Sequence, residues 1–255
     1  MNYFVSCLYG DVDKYRQIVT DLELKNDDRL WILGDVLDGN DEHPEVNLTM
    51  LDEIMRNPNV KMVLGDHEYF QNMRYVSYSD QDNYNAWVTY INNMDISGKA
   101  FNDFIENEMS KEDQDSYFGS YLLSLELSEV VRIGDRYFYL VHGSPIPYRD
   151  DVLTQWQIEV CTKVPNLTVD YWKTISYDPA VYPFLRNEKP MSQKNTIVIS
   201  GQYPPFEAAS SIQMPIGDAG IFYHNKILCI GRRTVDEPVP VVGIDAAGFF
   251  VKGIY

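Results

Sequence analysis

The stretch Leu30-Trp31-Ile32-Leu33-Gly34-Asp35 passes directly from an apolar run into a polar loop. Such a run is typical of a buried strand, and the Gly-Asp pair marks its end. The same pattern precedes it at Tyr3–Ser6, which leads into Cys7, and follows it at Val60–Leu64, which leads into Gly65-Asp66-His67. The first part of the chain therefore contains three predicted strands, each followed by a polar loop.

Two amphipathic helices are predicted to connect these strands. Their apolar positions recur at helical spacing, at Tyr15, Ile18, Val19 and Leu22 in the first helix and at Leu48, Leu51, Ile54 and Met55 in the second. Strands joined by helices pair in parallel, so their carboxyl ends lie at one edge of the sheet. Open α/β sheets bind ligands at this edge, and we expect the site there.

The remainder of the chain continues the α/β pattern as one domain, residues 1–255. Residues 71–128 have a helical, aromatic pattern and are predicted to form a helical insertion. Later strands are predicted at Glu129–Ile133, Arg136–Val141 and Thr196–Ser200, and in two hairpins at 221–230 and 241–251. The segment Pro179–Gln193 contains several prolines and polar residues, and is predicted to be a surface loop over the site.

Charge and composition exclude several classes of function. The chain of 255 residues has a formal net charge of −17, which repels nucleic-acid phosphates and anionic lipid. It contains no run of about 20 apolar residues and no secretory signal pattern, so we expect a cytoplasmic protein that spans no membrane. Its 3 cysteines are widely spaced, which indicates neither a disulfide framework nor a structural zinc site.

Five strand-end segments carry candidate chemistry: Cys7-Leu8-Tyr9-Gly10, Gly34-Asp35-Val36-Leu37-Asp38-Gly39, Gly65-Asp66-His67-Glu68, Val141-His142-Gly143 and Gly201-Gln202-Tyr203-Pro204. Their order and spacing resemble the calcineurin-like metallophosphoesterases, and most closely the bacterial serine/threonine protein phosphatases. The blocks of that family are Asp-x-His-Gly, Gly-Asp-x-x-Asp-Arg-Gly, Gly-Asn-His-Glu, His-Ala-Gly and Gly-His-Thr-Pro. The resemblance implies a four-layer αββα sandwich of two mixed β-sheets with helices outside.

The resemblance also implies a centre for two divalent metals that share a bridging carboxylate and activate a hydroxide. In this chain the bridging residue is Asp35, and the second metal is left with Asp66, His142 and Gln202. These ligands favour Mg²⁺, Mn²⁺ or Ca²⁺ over Zn²⁺. His67 corresponds to the histidine that protonates the leaving group, and Asp38 to its supporting carboxylate.

Other positions depart from the family pattern. Cys7 and Tyr9 replace the two ligands that belong to the first metal alone, which leaves Asp35 as the only family ligand of that site. Cys7 and Tyr9 could instead form a soft site for zinc or iron, although a cysteine after a buried strand is more often packed and inert.

The arginines that hold the substrate phosphate in the family are also replaced. Gly39 and Leu64 stand at two of these positions. Ile158 stands at a third, and this correspondence rests on Trp156 alone. A bidentate guanidinium has no substitute among such residues. The sequence leaves open whether another arginine takes over this role, the candidates being Arg149, Arg232 and Arg233.

Three functions remain open on this pattern. The first is a degenerate phosphatase with at most one weak metal site, or none, that binds a phosphorylated ligand or a protein partner. The second is an active phosphoesterase with a mononuclear or rebuilt metal site, in which His67→Asn abolishes activity at a cost in stability within about 1 kcal/mol. The third is an acidic structural protein that binds basic partners.

Overall fold

Two mixed five-stranded β-sheets flanked by helices form the framework of the protein. The computed structural model describes residues 1–40, 42–76, 97–143, 196–202, 204–205, 208, 221–224, 226–232, 234–245 and 247–255. The strands, in chain order, are β1 Asn2–Val5, β2 Arg29–Leu33, β3 Val60–Val63, β4 Ser128–Ile133, β5 Arg136–Val141, β6 Thr196–Ser200, β7 Phe222–His224, β8 Ile227–Cys229, β9 Pro240–Ile244 and β10 Phe249–Ile254.

Both sheets are mixed, with parallel strands beside antiparallel ones. The first sheet has the order β10-β9-β1-β2-β3, and β1, β2 and β3 run parallel. The second has the order β4-β5-β6-β8-β7, and β5, β6 and β8 run parallel. Each sheet therefore has an edge at which the carboxyl ends of parallel strands lie together.

Three helices follow strands of the first sheet: α1 Val12–Leu22, α2 Val46–Arg56 and α3 Asp66–Val76. The carboxylate of Asp11 caps α1 by accepting the backbone N–H of Lys14. Further helical segments lie at Ser97–Glu108 and Lys111–Ser116, followed by a π-helical segment at Tyr117–Leu122. No helix in the described ranges is long and apolar enough to cross a membrane.

Successive side chains along each strand point to opposite faces of the sheet, and this divides the core into layers. Side chains such as Phe4, Leu33 and Val63 of the first sheet pack with Phe138 and Ile199 of the second, all nearly inaccessible to water. The neighbouring residues on each strand point to the opposite face, as the pleat requires. Full burial of side chains of this size contributes about 1.5–3 kcal/mol each. This packing holds the loops at the strand ends in place.

The prediction of two mixed sheets with helices outside is confirmed. The predicted strands correspond to observed strands with boundaries that agree within about three residues, which is the ordinary precision of such boundaries. Helix α3 begins at Asp66, before the predicted helical insertion at 71, so two candidate site residues lie in its first turn. Residues 77–96 of the insertion and the predicted loop Pro179–Gln193 lie outside the described residues.

Candidate metal centre

The candidate site lies where the parallel strands of both sheets end. Asp35 follows β2, and Asp66 and His67 begin the helix that follows β3. From the second sheet, His142 follows β5 and Gln202 follows β6. The first sheet thus supplies the carboxylates and the imidazole of His67, and the second supplies the imidazole of His142 and the amide of Gln202.

The loop after β2 can approach its neighbours because glycine precedes Asp35. Gly34 has a φ of 80°, and a Cβ there would lie 2.5 Å from the Cα of Gly65 and 2.7 Å from Nδ1 of His142. A side chain at Gly34 would therefore separate the loops that carry Asp35 and His142. Asp35 itself has a φ of 57°, and a non-glycine residue in this left-handed region stores strain that the surrounding structure must offset.

Three oxygen atoms converge on one nitrogen of His142. Its Nε2 lies 2.6 Å from Gln202 Oε1, 3.0 Å from Asp66 Oδ1 and 3.2 Å from Asp35 Oδ2. The other nitrogen, Nδ1, donates to the carbonyl of Leu33 at 2.5 Å, which orients the ring. An imidazole held in this way through one nitrogen presents the other to a metal, as in many metal centres.

The convergent groups carry excess negative charge in a buried place. Burial alone would lower the pKa of His142, but the carboxylates of Asp35 and Asp66 together outweigh it and hold that pKa well above its usual value. Burial raises the pKa of Asp66, and the neighbouring Asp35 raises it further. Burial also acts to raise the pKa of Asp35, but His142 and His67 bring it below the ordinary value. A cation among these groups would stabilise all the carboxylates at once, and the donor set therefore fits a divalent metal.

His67 and Asp38 form a hydrogen-bonded pair at the edge of this cluster. Nδ1 of His67 donates to Asp38 Oδ2 at 2.9 Å, and Nε2 lies 3.9 Å from Asp35 Oδ2. Burial would lower the pKa of His67, but Asp35 and Asp38 hold it well above its usual value. The imidazole is therefore oriented, can carry a proton on Nε2, and keeps 19% of its side chain exposed, as a proton donor to a bound ligand requires.

Glu68 holds two of the site loops together. Its carboxylate accepts backbone N–H groups from Asp35, Val36, Leu37 and Gly65, at distances between 2.9 and 3.1 Å. Burial raises the pKa of Glu68 to about 7, and the four N–H groups act in the opposite direction by stabilising the ionised form. No role for Glu68 is predicted from the sequence. Its position directly after His67, in the first turn of α3, is the sequence signal that could have indicated a role in the site.

Cys7 and Tyr9, which stand at the first-metal positions, donate hydrogen bonds to backbone carbonyls. The Cys7 thiol donates to Gly201 O at 3.2 Å, and the Tyr9 hydroxyl donates to Arg232 O at 3.1 Å. Burial raises the pKa of both groups, so the phenol stays protonated. The Tyr9 ring also packs edge-on against His67, with 5.5 Å between ring centroids.

Arg232, one of the three candidate replacement arginines, is bound to the backbone instead. Its guanidinium donates to the carbonyls of Cys7, Leu8, Val235 and Glu237, and only 2% of the residue is exposed.

Gly39 stands at the position of a family arginine, and any side chain there would collide with the carbonyl of Tyr9. Gly39 therefore permits the close packing of the first two site loops and excludes a larger residue.

The structure brings six of the sequence-derived candidates together: Asp35, Asp38, Asp66, His67, His142 and Gln202. Cys7 and Tyr9 lie beside them. Arg149, Ile158 and Arg233 lie outside the described residues.

The family model described as calcineurin-like phosphoesterase matches residues 3–226. A serine/threonine phosphatase from Saccharomyces cerevisiae has a similar structure, with 14% sequence identity and a TM-score of 0.57 over 98% of this chain and 78% of that one. A candidate diadenosine tetraphosphatase is 16% identical, with a TM-score of 0.51 over 98% of this chain and 91% of the other. No curated protein matches the chain.

Proposed function

Because the chain belongs to the calcineurin-like phosphoesterase family, we propose that it is a degenerate member that binds one divalent metal and a phosphorylated ligand or partner without efficient turnover. The observation that carries this proposal is the hydrogen bonding of Tyr9. This residue stands at a first-metal position, and its hydroxyl donates to the backbone carbonyl of Arg232. A neutral phenol held in this way is a poor metal ligand.

The second-metal position supports binding of a single ion. Asp35, Asp66, His142 and Gln202 offer oxygen and nitrogen atoms whose mutual approach is already close. These four side chains would hold the ion, and their donor set suits Mn²⁺ or Mg²⁺. When bound, such an ion supplies positive charge to a phosphoryl oxygen.

Two of the arginines that bind the substrate phosphate in an ordinary phosphatase are replaced at described positions. Gly39 cannot be enlarged without displacing the carbonyl of Tyr9, and Leu64 is buried and apolar. Arg232 is occupied by four backbone carbonyls and would have to leave them to reach a ligand. Phosphate binding would therefore depend mainly on the metal, which favours weak and reversible binding of a phosphorylated group.

An active phosphoesterase is the second candidate, and the pair formed by His67 and Asp38 favours it. The imidazole is oriented through Nδ1 at 2.9 Å, and its Nε2 faces the same cluster as Asp35. In this reading His67 would donate a proton to the leaving oxygen, and Asp38 would stabilise the imidazolium. The pair alone gives no nucleophile, and the alternative requires a rebuilt metal site.

Elemental analysis of protein purified without chelator, paired with a p-nitrophenyl phosphate assay in added Mn²⁺, distinguishes the two candidates. We expect about one metal per wild-type chain, less in Asp35→Asn, and no turnover above a protein-free control in either. Asp13→Asn is a matched control, since Asp13 is exposed on α1 and should leave metal content unchanged. Sustained Mn²⁺-dependent turnover that Asp35→Asn abolishes would overturn the degenerate assignment and establish the active one.

A further inference from the structure

The side chain of Cys7 lies inside the candidate metal cluster. Its sulfur, a carboxylate oxygen of Asp35 and a ring nitrogen of His142 all lie within 4.8 Å of one another, and all three residues are buried. Cys7 has a φ of 55°, and its backbone N–H donates to Gly34 O at 3.0 Å. The loop is therefore fixed in a strained conformation with the sulfur among these groups.

A second observation concerns the carboxylate oxygen of Asp35 that faces this cluster. Asp35 Oδ2 is buried, in a residue that is 1% exposed, and has no hydrogen bond of good geometry in the part of the chain that the structure describes. Its nearest charged neighbours are the imidazoles of His142, at 3.2 Å, and His67, at 3.9 Å. The oxygen is therefore held only by ion pairing, and a metal ion would offset the cost of its burial by binding it directly.

The spacing is compatible with a tetrahedral ion. Metal bonds of about 2.0–2.3 Å to sulfur, nitrogen and oxygen place neighbouring ligand atoms about 3.3–3.6 Å apart in a tetrahedron. The 3.2 Å between Asp35 Oδ2 and His142 Nε2 is close to this range, and the Cys7 sulfur lies within 4.8 Å of a carboxylate oxygen of Asp35 and a ring nitrogen of His142. Three protein ligands leave a fourth position for a phosphate oxygen.

We propose that Cys7, Asp35 and His142 form a three-ligand site for a thiophilic divalent ion such as Zn²⁺. The Sγ–H bond of Cys7 breaks as the sulfur–metal bond forms, and the proton passes to solvent. The inference rests on the proposed single-metal function and deepens it by naming the metal class. The thiolate changes the preference for Mn²⁺ or Mg²⁺ expected from the four oxygen and nitrogen donors alone.

Tyr9, the other replaced position, is not part of this site. Its hydroxyl donates to the carbonyl of Arg232, and its ring packs against His67. The competing interpretation of Cys7 is an inert packed thiol that only donates to Gly201 O.

Titration of the full-length protein with Co²⁺, followed by absorption spectroscopy, separates these interpretations. Bound Co²⁺ gives visible ligand-field bands, and a cobalt–thiolate bond adds an intense charge-transfer band in the near ultraviolet. We expect this added band in the wild type and in Tyr9→Phe. We expect it to be lost in Cys7→Ser, which keeps a polar hydrogen for Gly201 O. Cys229→Ser and Cys161→Ser are matched controls that should retain it.

Competition between Zn²⁺ and Mg²⁺ gives the second measurement. We expect Cys7→Ser to weaken Zn²⁺ binding at least tenfold and to change Mg²⁺ binding little. Ligand-field bands without a thiolate band in the wild type would overturn the role of Cys7 and leave the single-metal function intact. A charge-transfer band that persists in Cys7→Ser would also overturn it. If neither the wild type nor Cys7→Ser binds Co²⁺ or Zn²⁺, both the inference and the proposed metal site are wrong.

Discussion

Asp38 is a buried carboxylate that relies on His67 for a charged hydrogen-bond partner. The side chain of Asp38 is completely inaccessible to water, and that of His67 is 19% exposed. Burial raises the pKa of Asp38, whereas the hydrogen bond from His67 acts to lower it. The pair therefore has a structural function in addition to any role in proton donation.

We expect His67→Asn to lower the free energy of unfolding by about 2–3 kcal/mol, because removal of one member leaves a buried carboxylate without its charged partner. This replaces the smaller cost that the sequence alone predicts for this change. Urea denaturation of His67→Asn, Asp38→Asn and the double variant measures the effect. The double variant should be more stable than the sum of the single changes predicts, and strictly additive values would contradict the pairing.

Among the structural elements, the loop between β2 and α2 depends most clearly on a residue from another element. The carboxylate of Glu68, in α3, accepts N–H groups from Asp35, Val36 and Leu37 as well as from Gly65. It thereby fixes the carboxylate of Asp35 relative to the helix that carries Asp66 and His67.

Glu68→Gln should lower the free energy of unfolding by about 2–4 kcal/mol, because the amide NH₂ cannot accept the N–H groups that one carboxylate oxygen now accepts. It should also weaken metal binding by disordering the Asp35 loop. Glu106→Gln, an exposed change on the helix Ser97–Glu108, is the control and should change neither quantity. Calorimetric titration with Zn²⁺ and urea denaturation measure the two effects, and unchanged metal affinity would contradict the positioning role.

The segment that follows β8 is attached to the loop after β1 through Arg232. One guanidinium joins the carbonyls of Cys7 and Leu8 to those of Val235 and Glu237. We expect Arg232→Lys to cost about 2–4 kcal/mol, since an ammonium cannot reach carbonyls on both sides and leaves buried acceptors unpaired. Thermal unfolding compared with exposed Arg136→Lys measures this cost, and equal midpoints for the two variants would contradict it.

The strands and helices and their order could be predicted from the sequence, but some contacts between them could not. Apolar runs indicate the strands and helical spacing the helices, and the strand-end rule places Asp35 and Asp66 at one edge, whereas His142 follows only from the family resemblance. The contacts of Arg232 join residues more than 200 positions apart, and no local pattern records them. The burial of the Tyr9 ring against His67 likewise depends on how closely Gly39 lets two loops approach.

At the scale of the whole molecule, the affinity of the protein for its metal should increase as the pH rises. The pKa of His142 is raised well above its usual value in the metal-free protein, so a proton competes with the ion for Nε2. Metal affinity should therefore rise with pH, and because the Cys7 thiol, whose pKa burial raises, also loses its proton on binding, the rise should continue after His142 is deprotonated. Titration calorimetry with Zn²⁺ between pH 5.5 and 8.5 should also show proton release, and an affinity independent of pH would contradict the assignment of His142 as a ligand.

The division of the candidate centre between two sheets has a kinetic consequence. Asp35 and Asp66 belong to the first sheet, and His142 and Gln202 to the second. An ion held by Asp35 and His142, one from each sheet, opposes any local opening that separates the sheets at this edge. Amide protons of β2 and β6 should then exchange with solvent more slowly in the loaded protein than in the apo protein, because opening of this edge would first require release of the ion.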